Sequence, residues 1–125
     1  MAGRDLSKPH GLKPCAFQTI WNIRHGRDGV KYLDMMMVQR SSDFVTAGAI
    51  NQVQYAVLLA LVARHIGCEP GKFSWSVANV QIYDRHIRIA KELLEREPLK
   101  CNPKIWINPE KKKFLGYDNR RYKNH

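Results

Sequence analysis

Residues 48–67, GAINQVQYAVLLALVARHIG, hold apolar side chains at nearly every helical position from Ile50 to Ile66. Asn51 and Gln54 stand near the start, and Gly67 is placed as the residue after the C-terminus. A helix apolar on so much of its circumference is stable in water only when other elements close over it almost all round. In a chain of 125 residues one core is the natural result, so a single domain is expected.

The rest of the chain supplies strands for that helix. Residues 16–24 alternate imperfectly, with Phe17, Trp21 and Ile23 set against Gln18, Asn22 and Arg24, and HGRDG at 25–29 is turn chemistry. VKYLDMMMVQR at 30–40 then pairs back antiparallel, and its methionines and Val38 suit a strand buried on both faces. After the helix, EPG turns the chain and FSWSVANVQIY at 73–83 alternates as a further strand. Asp84 is placed to cap a helix, RHIRIAKELLERE, whose inner stripe is Ile87, Ala90, Leu93 and Leu94. PKIWINP at 103–109 reads as a short strand between prolines. A hairpin as first connection, and no Gly-rich phosphate loop, argue against a doubly wound parallel sheet. The expected class is α+β, an antiparallel or mixed sheet with one long buried helix.

The longest strongly apolar run, YAVLLALVA at 55–63, is too short to span a bilayer, and MAGRDLSKPHG lacks the apolar stretch of a secretory leader. Cys15, Cys68 and Cys101, odd in number and widely spaced, suit reduced thiols better than a disulfide frame. A soluble cytoplasmic protein with no membrane partner is expected. The net charge of +10 favours anionic partners, and +6 of it falls in residues 100–125, where eight basic side chains face two acidic ones.

Three places can carry chemistry. Cys15, after a proline at the mouth of the first strand, is either a small buried side chain or a nucleophile. Only the thiolate attacks, and Arg40 is the natural cation for it if the hairpin brings its open ends together. In QRSSD at 39–43, Arg40 has the planar fork that suits a phosphate and Ser41 and Ser42 add hydroxyls; a solvated arginine beside turn serines is the plainer alternative. Asn51, at the head of a buried helix, needs partners for its amide, either a ligand or backbone. Tyr83, where strand gives way to helix, is by itself more typical of an interface aromatic. His10, His25, His65, His86 and His125 are scattered without metal-ligand spacing, so no metal site is expected.

Taken together, Pro14-Cys15, QRSSD at 39–43, Ile50-Asn51, CEPGKF at 68–73, IYDRH at 82–86, REP at 96–98 and GYD at 116–118 resemble thymidylate synthase in order and spacing. The match runs from Leu12 to Asp118, leaving residues 1–11 as an extension and 119–125 as a basic tail. The resemblance implies a thymidylate-synthase-like fold, incomplete in this chain, and a folate-dependent methyltransferase that converts dUMP to dTMP with 5,10-methylenetetrahydrofolate. Cys15 would add to C6 of the uracil ring. Arg40 and Ser41 would hold the 5′-phosphate, Ser42 would lie beside the pyrimidine and folate, and Asp43 would act there as a catalytic residue. Asn51 would read O4 and N3–H of the uracil, which favours dUMP over dCMP. Gln81 and Tyr83 would meet the deoxyribose hydroxyl.

The chain departs from the family at Ala16 and Gln81, where histidines are usual, at Ala47 and Ala49, where a glycine and a proline are missing, and in NRRYKNH after Gly116-Tyr117-Asp118. The family's members are longer, and this chain resembles their C-terminal half, so a homodimer or a missing N-terminal half is the implied partner. Two alternatives stand beside this reading: a dUMP or dCMP hydroxymethylase, and a noncatalytic nucleotide- or RNA-binding domain. The second would use the basic tail with Trp106, Phe114, Tyr117 and Tyr122 interleaved, though neither an RRM nor a KH signature is present.

Overall fold

The computed structural model describes residues 14–100 and 104–108. Strand β1 (Ala16–His25) turns into β2 (Lys31–Asp43), which passes through a π-helical turn (Phe44–Gly48) into helix α1 (Ala49–His65). The chain returns as β3 (Glu69–Gln81) and ends in a 3-10 turn (Asp84–His86) and helix α2 (Ile87–Glu95). The sheet order is β1-β2-β3, with β1 antiparallel and β3 parallel to the central β2. The α+β class with a mixed sheet is what the pattern of elements predicts.

Local chemistry fixes each connection. In the hairpin turn Gly26 N–H donates to Val30 O at 2.8 Å, the Asp28 carboxylate accepts from Val30 N–H at 3.0 Å, and Gly29 takes φ 77°. Helix α1 ends as the sequence predicts: Gly67 N–H donates to Arg64 O and Cys68 N–H to Ala63 O, with Gly67 at φ 73°. This paired closure needs a left-handed residue after the helix, which glycine adopts without cost from a Cβ.

The core lies between the sheet and α1. Leu33 and Met35 of β2 meet Leu59 and Ala63 of α1 and Cys68, with Trp21, Tyr55, Val62 and Phe73 around them. Full burial of side chains such as Leu33, Met35 and Leu59 contributes roughly 1.5–3 kcal/mol each. Strand β2 alternates, its inward positions Leu33, Met35, Met37 and Gln39 all buried.

Several expectations are corrected. Strand β2 is not buried on both faces, because α1 covers one side only: Met36, in register with Ile20 and Ser74, is 38% exposed. Nor is α1 covered all round. Leu59 and Ala63 are its buried residues, while Ile50 and Val53 are more than 60% exposed, since the sheet is the one layer packed on it among the described residues. With the π turn the helical backbone runs 22 residues, Phe44–His65, long and apolar enough to cross a membrane by length and composition, where the run at 55–63 had suggested otherwise.

Strand β3 starts at Glu69, not 73, because Pro70 stays in register with Leu33 and a bulge at Gly71-Lys72 opposite Asp34 carries the ladder on to Phe73. Asp84 opens the 3-10 turn and makes no capping hydrogen bond, so it does not cap α2. The α2 stripe of Ile87, Ala90, Leu93 and Leu94 has no buried residue: Ala90 is half-buried, Ile87 and Leu93 are exposed, and Leu94 is 87% exposed. Residues 104–108 join no ladder; the prolines at 103 and 109 lack N–H donors, and the segment is held by Arg64 Nη1 donating to Ile107 O at 3.4 Å. The extension 1–11, Cys101 and the basic tail lie outside the described residues.

Candidate active site

Strands β2 and β3 run parallel and so end at the same edge of the sheet, where the hairpin opens and α1 begins. There they border an open cleft of about 680 Å³. Cys15, Arg40, Ser41, Ser42, Asp43, Asn51, Gln81 and Tyr83 all line it, from four separate stretches of chain.

The β1–β2 register brings the first two together. Ala16 pairs with Gln39, and beyond that pair Arg40 N–H donates to Cys15 O at 2.8 Å. The Arg40 side chain follows, Nη2 lying 3.7 Å from Cys15 Sγ, and Ser41 Oγ lies 3.5 Å from the same sulfur, with either the thiol or the hydroxyl donating. Cys15 is half-buried, so its sulfur is neither sealed in hydrocarbon nor freely solvated. The cleft thus joins a thiol, a permanent cation and a hydroxyl within contact of one another.

Gln39 locks this end of β2. Its side chain is 2% exposed; Trp75 Nε1–H donates to its Oε1 at 3.0 Å, and its Nε2 donates to Ser41 O at 2.8 Å. A buried amide so paired is satisfied and rigid. The sequence signal was a polar residue at an inward strand position, two beyond Met37, which had been read only as part of QRSSD.

Asp43 closes the strand. Thr46 donates its hydroxyl to Asp43 Oδ2 across the π turn, and His86 Nδ1 lies 3.7 Å from the same oxygen. The Thr46 hydroxyl holds the Asp43 carboxyl below the usual carboxylate range, assisted by the charges of His86 and Arg85 and opposed by partial burial. Asp43 Oδ1 and Ser42 Oγ are buried with no hydrogen-bond partner among the described residues. Sequence reasoning missed Thr46 and His86. The Asp-to-Thr spacing of three was the visible clue for the first; the second comes from a distant element.

Asn51 faces the cleft from the first turn of α1, beside Gln54 and Tyr55. On the far wall the register sets Ser41 beside Asn79 and Asp43 beside Gln81. Asn79 Nδ2 donates to Gln81 Oε1 at 3.3 Å and Gln81 Nε2 donates to Tyr83 OH at 3.1 Å, forming a polar row along the rim. Among the described residues no three His, Cys, Asp or Glu side chains are gathered as a metal would require.

The family model described as Thymidylate synthase matches residues 2–123. The chain is 45% identical over 103 residues to the thymidylate synthase of Streptococcus agalactiae, covering 82% of this chain and 37% of that protein. To the Streptococcus pneumoniae thymidylate synthase it is 45% identical over 98 residues, covering 78% and 35%. Among solved structures, thermostable thymidylate synthase A from Bacillus subtilis superposes with a TM-score of 0.74 at 35% identity, over 82% of this chain and 35% of that one. The T4 phage thymidylate synthase gives 0.61 at 36% identity, over 71% and 29%. The chain spans about a third of the length of the curated relatives it matches.

Proposed function

Because the chain belongs to the thymidylate synthase family, we propose that its cleft binds dUMP and serves the reductive methylation of dUMP to dTMP with 5,10-methylenetetrahydrofolate. Cys15 Sγ attacks C6 of the uracil, the S–C6 bond forms, and the C5–C6 π pair moves onto C5 and O4. The carbon that must accept a one-carbon unit thereby becomes a nucleophile. Arg40 and Ser41 take the 5′-phosphate, and the same guanidinium offers its charge to the sulfur. Asn51 reads the uracil edge, its amide matching an acceptor and a donor together. Gln81 and Tyr83 meet the deoxyribose hydroxyl, a glutamine being able to donate and accept as a histidine would.

Bound methylenetetrahydrofolate supplies the one-carbon unit and the hydride. On this chain Asp43 is the residue suited to hold it, since Oδ1 is a buried acceptor without a partner among the described residues and the carboxyl is held ionised. The reading also assigns the protein to the cytoplasm, where Cys15 stays reduced. It has the chain act as a homodimer or with an N-terminal part of the family fold; the exposed Ile50 and Val53 on α1 support such covering.

One observation carries the proposal: the Cys15 sulfur lies 3.7 Å from the Arg40 guanidinium in a cleft that Asn51 also lines. Incubation with 5-fluoro-dUMP and methylenetetrahydrofolate, followed by intact mass measurement, is expected to give a covalent adduct that Cys15→Ser abolishes. No adduct, even with a polypeptide supplying the N-terminal part of the fold, would defeat the reading.

A further inference from the structure

Two polar atoms of opposite need lie buried and unpaired next to each other. His86 Nδ1 and Asp43 Oδ1 have no hydrogen-bond partner among the described residues, and His86 Nδ1 stands 3.7 Å from the other carboxylate oxygen, Oδ2. Both side chains are largely shielded, 14% and 16% exposed. An unsatisfied buried polar atom is destabilising, so leaving two of them on residues in contact calls for a use.

The residue is itself held in place. The His86 backbone N–H donates to Tyr83 O at 2.7 Å, and the His86 ring meets the Tyr83 ring edge-on with centroids 6.0 Å apart. His86 therefore brings the 3-10 turn, which Tyr83 precedes, against the end of β2. The Thr46 hydroxyl holds Oδ2 from the other side. With Oδ2 occupied by Thr46 and flanked by the imidazole, the carboxylate cannot rotate freely, and Oδ1 is left as the acceptor for whatever enters the cleft.

We propose that His86 is a positioning residue for Asp43: together with Thr46 it clamps Oδ2 so that Oδ1 is presented, ionised and unpaired, to a ligand N–H in the cleft. The gap of 3.7 Å exceeds a hydrogen bond and closes when a ligand draws the carboxylate into line, as hydrogen bonds at reacting sites commonly tighten on binding. The ligand class rests on the reading of the cleft as a dUMP and folate site; the coupling of His86 to Asp43 does not.

Carboxyl-carbon NMR of the isotope-labelled full chain tests it without nucleotide or folate, so its outcome is separate from that of the adduct assay. Besides the imidazole, the charged group that bears on Asp43 is Arg85, and a guanidinium keeps its charge throughout this range. The Asp43 carboxyl resonance should show a second inflection between about pH 5 and 8, the range in which an imidazole ordinarily changes charge. In His86→Phe, which keeps a ring against Tyr83, that inflection should vanish and the main Asp43 midpoint should move up. His86→Asn, which returns an amide donor near the Nδ1 position, should bring the midpoint back towards wild type. A wild-type Asp43 resonance without the second inflection overturns the proposal, whether or not the variants fold. So does a His86→Phe protein that loses stability with its Asp43 midpoint unmoved, which would make the histidine merely structural.

Discussion

The Arg40 guanidinium reaches across the open end of the β1–β2 hairpin to within 3.7 Å of the Cys15 sulfur, and the same two residues share a backbone hydrogen bond of 2.8 Å. The main-chain bond fixes the distance that the side chains exploit. A cation this close to the sulfur is placed to attract the anionic, reactive form of the thiol. Arg40→Met is therefore expected to slow iodoacetamide alkylation of Cys15 at about pH 7. The rate is read by peptide mass, and an unchanged rate would count against the pairing.

Asn51 lines the cleft from the first turn of α1, so its side chain can face a pyrimidine edge. An aspartate there accepts twice and donates nothing, which matches the amine of cytosine and repels the carbonyl of uracil. Asn51→Asp should weaken 5-fluoro-dUMP adduct formation by about tenfold or more and shift preference towards dCMP, as competition by the two nucleotides would measure.

Gly71 sits in the bulge where β3 passes Asp34. A Cβ there would lie 2.1 Å from Asp34 Oδ1 and 2.9 Å from the Leu33 carbonyl. The carboxylate is pinned by Arg24 Nε at 3.0 Å and Lys72 N–H at 2.8 Å, and the carbonyl belongs to the core strand, so neither moves easily. Gly71→Ala should lower stability by about 1–3 kcal/mol, seen as a lower urea midpoint with unchanged slope.

Acid should unfold the protein through three carboxylates. Asp34 is held low by the Arg24 side chain and then the Lys72 N–H, Asp28 by the Tyr32 hydroxyl and then the Val30 N–H, and Asp43 chiefly by Thr46. A carboxyl lowered on folding contributes stability that is complete well above its unfolded value, about 3.9, and is lost as pH falls through the folded one. The urea midpoint should hold from these groups' side between pH 7 and about 5 and fall below pH 4, with a smaller fall in Asp34→Asn.

The hairpin and the end of α1 were legible because each depends on near neighbours in sequence, while the cleft residues, drawn from four separate stretches, were picked out by the family resemblance. Gly67 had to follow the helix, and a turn at 25–29 had to bring Cys15 back to Arg40. Coverage was not legible. The stripe of α2 and the outer side of α1 declare which face is apolar, and periodicity carries no information about what packs on it. The start of β3 was missed because Pro70-Gly71 reads as a turn, while the fold pairs Pro70 with Leu33 and bulges at Gly71-Lys72 over Asp34. Thr46 and His86 escaped notice because their role exists only where β2, the π turn and the 3-10 turn converge on Asp43.

Strand β2 carries buried Met37 and Gln39 on one face and Arg40 on the edge that meets the sulfur. Sliding it by a single residue would turn Met36 and Arg40 inward and swing Met37 out, exchanging every side chain between oil and water. The methionines thus serve as a ruler for the reactive end of the sheet. Mutations that loosen their grip would misplace the guanidinium before they melted the molecule, so drift in the core would surface first as lost chemistry.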